Sequence, residues 1–256
     1  MNKLKIGFVS LVCLALLSTI SFGQTKRKRV VKNKPVAVTK TTTTQTASNT
    51  TLTDTEISGG LKEALVKGVR FAVDTLGREN GFLNDTRVKI PLPNSLQKME
   101  KALRVAGQGK MVDDFVASMN HAAEKAVPVA VDVFVDSIKQ MTFSDVRNIL
   151  FSGQDDSATQ FFRRTSEETL RGKFRPIVEQ FTNQVGVTQK YKDMMGKYGF
   201  VGKLFGQDAT DIDGYVTQKA LDGLFFMVAE EERKIRKDPI GTGSSILKKV
   251  FGAIFK

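Results

Sequence analysis

Residues 110–141 read KMVDDFVASMNHAAEKAVPVAVDVFVDSIKQM, and this stretch decides the fold. Val112, Phe115, Val116, Met119, Ala122, Ala123, Ala126 and Val127 recur at spacings of one, three and four. That is the apolar stripe of a helix, not the alternation of a strand. The stripe resumes after Pro128 with Val131, Phe134, Val135 and Ile138. A proline removes an amide donor and crowds the turn before it, so a kink or break is expected at Pro128. A segment this apolar around its circumference needs neighbours on several sides. The expected architecture is therefore all-α, a multi-helix bundle, with one ordered proline-containing extended loop.

Working outward, the neighbours are readable. Ile57–Leu76 carries one apolar face, with Ser58 as a cap candidate and Gly68 placed to admit another helix closely. Ser95–Ala106 is a short helix ended by Gly107 and Gly109. Thr142, followed by Asp145 three positions on, resembles a capping box opening the helix Thr142–Phe151. A further helix runs from Ser157 toward Thr169, with Gly172 and Pro176 expected to interrupt its continuation. Thr188–Tyr198 reads as a short helix and Tyr215–Arg236 as the second dominant one. Between the first two helices, Gly77–Asn94 is rich in turn residues and includes Pro91 and Pro93. It has no strand to pair with. An ordered loop packed on helices, of the kind that often carries binding work, is the expectation.

Lys3 and Lys5, the apolar run Ile6–Ile20 and the small residues Ser21 and Gly23 are the three parts of a secretory signal peptide, cut before Gln24. The run is shorter than the roughly 20 residues that span a bilayer. The expected organisation is a signal peptide at 1–23, a flexible basic, threonine-rich tether at 24–57 and a single helical domain at 58–256. Export to the periplasm or cell envelope is expected, with no transmembrane span in the mature chain. Cys13 is the sole cysteine and lies inside the run, so the mature chain has neither disulfide nor thiolate ligand. Of the formal +12, two charges sit at Lys3 and Lys5 and seven between Lys26 and Lys40, leaving about +3 thereafter. Basic character belongs to the tail. A nucleic-acid role for the folded part is not supported, and the tail suits an anionic envelope polymer or lipid.

Candidate site residues are few. Arg163, Arg164, Arg171, Lys173 and Arg175 form the densest basic region, readable as a salt-bridged face or as a site for an anion or lipid headgroup. His121 is the only histidine, within reach of Glu124 or Lys125 on the next turn. Without cysteine or a second histidine no zinc site is expected, and no cofactor or metal is. Asp208, Asp211 and Asp213 suggest part of a calcium loop, but no glutamate closes it. Acids at a helix start explain them. Glu230, Glu231 and Glu232 precede basic residues and read as an exposed, paired face. Ile246–Phe255 is amphipathic, suited to docking on the bundle or on a membrane surface.

Several segments together resemble the DUF4197 family of bacterial secreted or lipid-anchored proteins of unknown function. They include Gly81-Phe82-Leu83-Asn84-Asp85, Lys89-Ile90-Pro91-Leu92-Pro93, Phe161-Phe162-Arg163-Arg164, Phe174-Arg175-Pro176-Ile177-Val178 and Tyr215-Val216-Thr217-Gln218-Lys219-Ala220-Leu221. The resemblance spans residues 56–252. Many such proteins carry a lipid-attachment cysteine after the signal peptide, which this chain lacks. The resemblance brings no catalytic residues. The expected function is a non-catalytic helical protein of the cell envelope that binds an amphipathic or anionic ligand. The alternatives are an envelope hydrolase using carboxylates or serine, and a protein-interaction scaffold for an envelope protein.

Overall fold

Thr53 opens the first helix. Its hydroxyl accepts from the Glu56 amide (3.2 Å) while the Glu56 carboxylate accepts from the Thr53 amide (2.9 Å), a reciprocal capping box. The helix α1 therefore spans Asp54–Gly77, and Ser58, the cap suggested by the sequence, lies inside it. Two acids in its first turn complement the helix dipole.

The structure is a computed structural model and describes residues 53–184 and 211–238. The signal peptide, nearly all of the tether, the helix expected at Thr188–Tyr198, Asp208 and the Ile246–Phe255 segment lie outside the described residues. After α1 come a 3₁₀ turn at Asn94–Leu96, α2 (Gln97–Val105), α3 (Gly109–Ala126), a second 3₁₀ turn at Val127–Val129, and α4 (Ala130–Gln140). Next are α5 (Phe143–Phe151), α6 (Ser157–Gln184) and α7 (Ile212–Lys237). Among the described residues there is no strand, and the architecture is the expected multi-helix bundle.

The deciding stretch breaks where its proline dictates. Pro128 sits in the 3₁₀ turn that separates α3 from α4. At α5, Thr142 and Asp145 form the full capping box. The interruption expected near Gly172 and Pro176 does not occur, since α6 runs unbroken through both. The amide that Pro176 lacks would have bonded the Gly172 carbonyl one turn back. Both residues are exposed, so that oxygen is open to water. Leu170, Phe174 and Val178, fully buried on the opposite side, hold the two halves in line.

The long helices α6 and α7 pack together. The α3 helix lies against both, α4 against α6, and α1 against α4 and α7. Gly68 does admit a close neighbour: a Cβ there would stand 3.3 Å from Ile235 Cδ1 and 3.6 Å from Glu231 Cβ on α7. Phe134 of α4 lies edge-on to Phe162 of α6 (centroids 5.2 Å apart) and to Phe225 of α7 (5.8 Å), all three fully buried. Such pairs add to the burial of their area.

Candidate functional site

The segment between α1 and α2 has no regular hydrogen-bonding pattern, so its backbone groups need partners from side chains. Buried side chains supply them. Asn80 takes a left-handed conformation (φ 61°), which swings the chain back across the end of α1. The buried Glu124 carboxylate on α3 then accepts from three turn amides: Asn80 (3.1 Å), Phe82 (3.1 Å) and Leu83 (3.3 Å). Four residues back on the same helix, fully buried Asn120 clamps Ile90 from both sides. Its Oδ1 accepts from the Ile90 amide (2.8 Å) and its Nδ2 donates to the Ile90 carbonyl (2.9 Å). One side chain thus takes the place of a paired strand, which explains how the chain stays extended at Ile90 without a sheet.

Further ties fix the rest of the loop. The Tyr215 hydroxyl on α7 donates to the Pro91 carbonyl (3.0 Å), and burial pushes its phenol above the ordinary range. Arg87 donates to Asp85 through two side-chain nitrogens (2.9 and 2.6 Å), and this pair holds the Asp85 carboxyl below its usual range. Phe82 and Val88 seat over Gly223 of α7, where a Cβ would stand 2.7 Å from the Phe82 ring. Phe82, Val88, Ile90 and Leu92 are all buried.

This fixed loop walls one side of a 570 Å³ cleft, with α2 and α3 on the other. Leu83, Pro91, Leu92 and Val116 give it apolar surface. Its rim carries Lys89 and Arg104 against Glu100, Asp113 and Asp114. The carboxylates are engaged: Arg104 donates to Glu100 (3.0 Å) and Asp113 (2.8 Å), and Lys110 holds Asp114 (2.7 Å). Arg104 depresses the Asp113 carboxyl, and Lys89 adds to the effect. The Lys89 ammonium makes no hydrogen bond among the described residues.

The six residues singled out from the sequence are not gathered in one place. The His121 ring donates through Nδ1 to Glu124 Oε2 (2.8 Å), so it braces the carboxylate that holds the loop. A histidine on a buried carboxylate is two parts of a hydrolytic triad. The hydroxyl nearest in sequence, Ser118, is turned to the Phe115 carbonyl of its own helix (2.7 Å). On α6, Arg163, Arg171 and Arg175 form a ladder of ion pairs. Arg163 bonds Glu167 and stacks over the Phe225 ring (4.5 Å), Arg171 bonds Glu167 and Glu168, and Arg175 bonds Glu179 and Asp211, the residue that caps α7. The salt-bridged account fits these three. Lys173 instead lines a 510 Å³ groove beside α4 with Asp132 and Asp136, and Arg164 faces Asp145 of α5. Asp211 accepts from the Gly214 amide (2.8 Å), as acids at a helix start should. Among the described residues no cluster suits a metal ion.

The exposed face expected for the glutamates of α7 needs correction. Glu231 and Glu232 are buried. Glu232 accepts from the Ala158 and Thr159 amides (2.9 and 2.8 Å) and from the Thr159 hydroxyl, so it caps α6 from another helix. Arg236 neutralises it at 2.8 Å and also donates to the Ile149 carbonyl and the Ser157 hydroxyl. The signal was present. Asn120 and Glu124 fall within the apolar stripe of α3, and Glu231 and Glu232 continue the stripe Leu224, Val228, Ile235. A polar residue in register with core positions is a buried one that requires partners.

Fold and site together define a helical protein whose longest irregular segment among the described residues is locked by buried polar side chains beside an open cleft. The chain belongs to the DUF4197 family, described as a protein of unknown function, whose model matches residues 51–252. No curated protein and no solved structure matches it.

Proposed function

We propose that this protein is a non-catalytic binding protein of the cell envelope that holds an amphipathic anion in the loop cleft. The ligand's apolar body would lie on Leu83, Pro91, Leu92 and Val116, with its anionic head at Lys89. One observation carries the reading: Asn120 and Glu124 spend buried hydrogen bonds, and Tyr215 an exposed one, on fixing a loop that presents an ammonium without a hydrogen bond over apolar surface. Preorganisation of this kind lowers the entropic cost of binding. The cleft is preferred to α6 because Arg163, Arg171 and Arg175 already have carboxylate partners.

Calorimetric titration with dodecyl phosphate tests it. Binding is expected in the parent chain and about tenfold weaker in Lys89→Glu, the loss of one charge-assisted contact. Equal affinity in both chains would remove the cleft from consideration. Export belongs to the same proposal, supported by the signal-peptide pattern of residues 1–23 and the basic 26–40 segment. Intact-mass measurement on chain recovered from the envelope fraction is expected to show a start at Gln24. Chain retained in the cytoplasm with residues 1–23 attached would defeat the envelope assignment.

A further inference from the structure

We propose that the outer face of α5 is a docking surface for an anionic lipid bilayer. The helix is two-sided. Val146, Ile149 and Leu150 are buried beneath it, while Phe143, Ser144, Arg147, Asn148 and Phe151 face solvent. Steps of four residues place Phe143, Arg147 and Phe151 along one outward stripe about 12 Å long. Phe151 is 61% exposed and Phe143 37%.

Three basic side chains stand on or near this stripe, and the acids beside it, Asp145 and Asp155, are already engaged. Arg147 has no ion pair among the described residues. Lys62 of α1 is pinned at the entrance to α5 by donating to the Lys139 and Met141 carbonyls (3.2 and 2.8 Å). The Asp145 carboxyl is held below its usual range, first by its capping bonds to Thr142 and then by the positive charges of Arg164 of α6 and Lys62. At the far end Asp155 is neutralised by Arg233 at 3.1 Å. Arg147, Asn148, Phe151 and Ser152 lie together at the C-terminal end of this face. Arg147 and Asn148 give this face donors that a lipid phosphate accepts from, a guanidinium and a side-chain amide, while the Ser152 hydroxyl is turned to the Ile149 carbonyl (3.4 Å).

Aromatic rings beside arginine suit the bilayer interface, where rings enter the headgroup layer and guanidinium groups meet phosphate. A protein partner is the poorer fit. A single convex stripe of about 12 Å offers much less than the roughly 800 Å² per side of a stable protein interface.

The chain contains no tryptophan, so one introduced indole reports its own surroundings. The experiment uses the full mature chain and two vesicle types, phosphatidylcholine alone and phosphatidylcholine mixed with phosphatidylglycerol. Phe151→Trp is the probe and Phe71→Trp the control, at a ring on α1 that is also exposed (52%). With anionic vesicles carrying brominated acyl chains, the Phe151→Trp indole is expected to shift to the blue and be quenched, while the Phe71→Trp indole stays unquenched. Phe143→Ser with Phe151→Ser, and separately Arg147→Glu, should each weaken vesicle binding at least tenfold. Co-sedimentation with neither indole quenched would mean that the basic 26–40 segment alone attaches the chain, and the proposal would fail. A blue shift that depends on protein concentration without vesicles would assign the face to a protein contact and would equally overturn it.

Discussion

Glu124 concentrates most of the loop's order in one side chain. Its carboxylate serves three amides and a histidine ring, so removing it orphans several partners at once. Each buried amide left without an acceptor costs about 1–3 kcal/mol. Glu124→Ala is therefore expected to lower stability in urea unfolding by about 3 kcal/mol or more, and to speed hydrogen exchange at Phe82 and Leu83 first. Glu124→Gln keeps one acceptor oxygen and should cost less. Tyr215 adds a pH dependence. Burial raises its folded phenol pKa above the ordinary 10.0, so its contribution is complete below that value and is lost as pH rises through the raised one. A tyrosinate also has no proton to donate to the Pro91 carbonyl. Tyr215→Phe is expected to flatten the alkaline limb of a plot of stability against pH. An unchanged limb would show that Tyr215 does not set it.

Among the helices, α6 depends on residues elsewhere in the chain for both its start and its continuity. Glu232 caps its start from α7, and removing one partner of a buried pair is expensive, about 3–5 kcal/mol. Glu232→Ala should fall in that range by thermal or urea unfolding, whereas Glu63→Ala, which breaks the exposed pair with Lys67, should cost only a few tenths. Pro176→Ala restores the missing donor on an exposed turn and is expected to stabilise by about 1–3 kcal/mol in the same unfolding measurements. The features readable in the sequence divide along the same line. The stripes, the break at Pro128, the Thr142 box and the close approach at Gly68 are local or periodic, and a linear reading detects periodicity. The unbroken α6 was not readable, because its continuity rests on Leu170, Phe174 and Val178 being gripped from outside. Nor was the Glu232 cap, whose partners lie more than 70 residues away. The candidate cleft was half visible: the loop's composition marked it as ordered and idiosyncratic, but its anchors Asn120 and Glu124 sit 30 to 44 positions downstream.

In the molecule as a whole, the loop and the helices share one apolar core. Phe82, Ile90 and Leu92 belong to the same buried cluster as Phe134, Phe162 and Phe225. Asn120 and Glu124, which hold the loop, lie on α3, and α3 is itself packed on α6 and α7. Loosening the centre should therefore loosen the loop. Phe134 tests this, since it is fully buried, makes edge contacts with rings on two other helices, and touches no loop anchor through a hydrogen bond. Phe134→Ala is expected to cost about 3–5 kcal/mol through lost transfer energy and the cavity it leaves. If folding is a single cooperative event, hydrogen exchange at the Ile90 amide must accelerate by the same factor as at amides in the middle of α7. If Ile90 keeps its protection while α7 loses its own, the loop and α3 form an independently stable unit, and the cleft's rigidity is set by Asn120 and Glu124 alone.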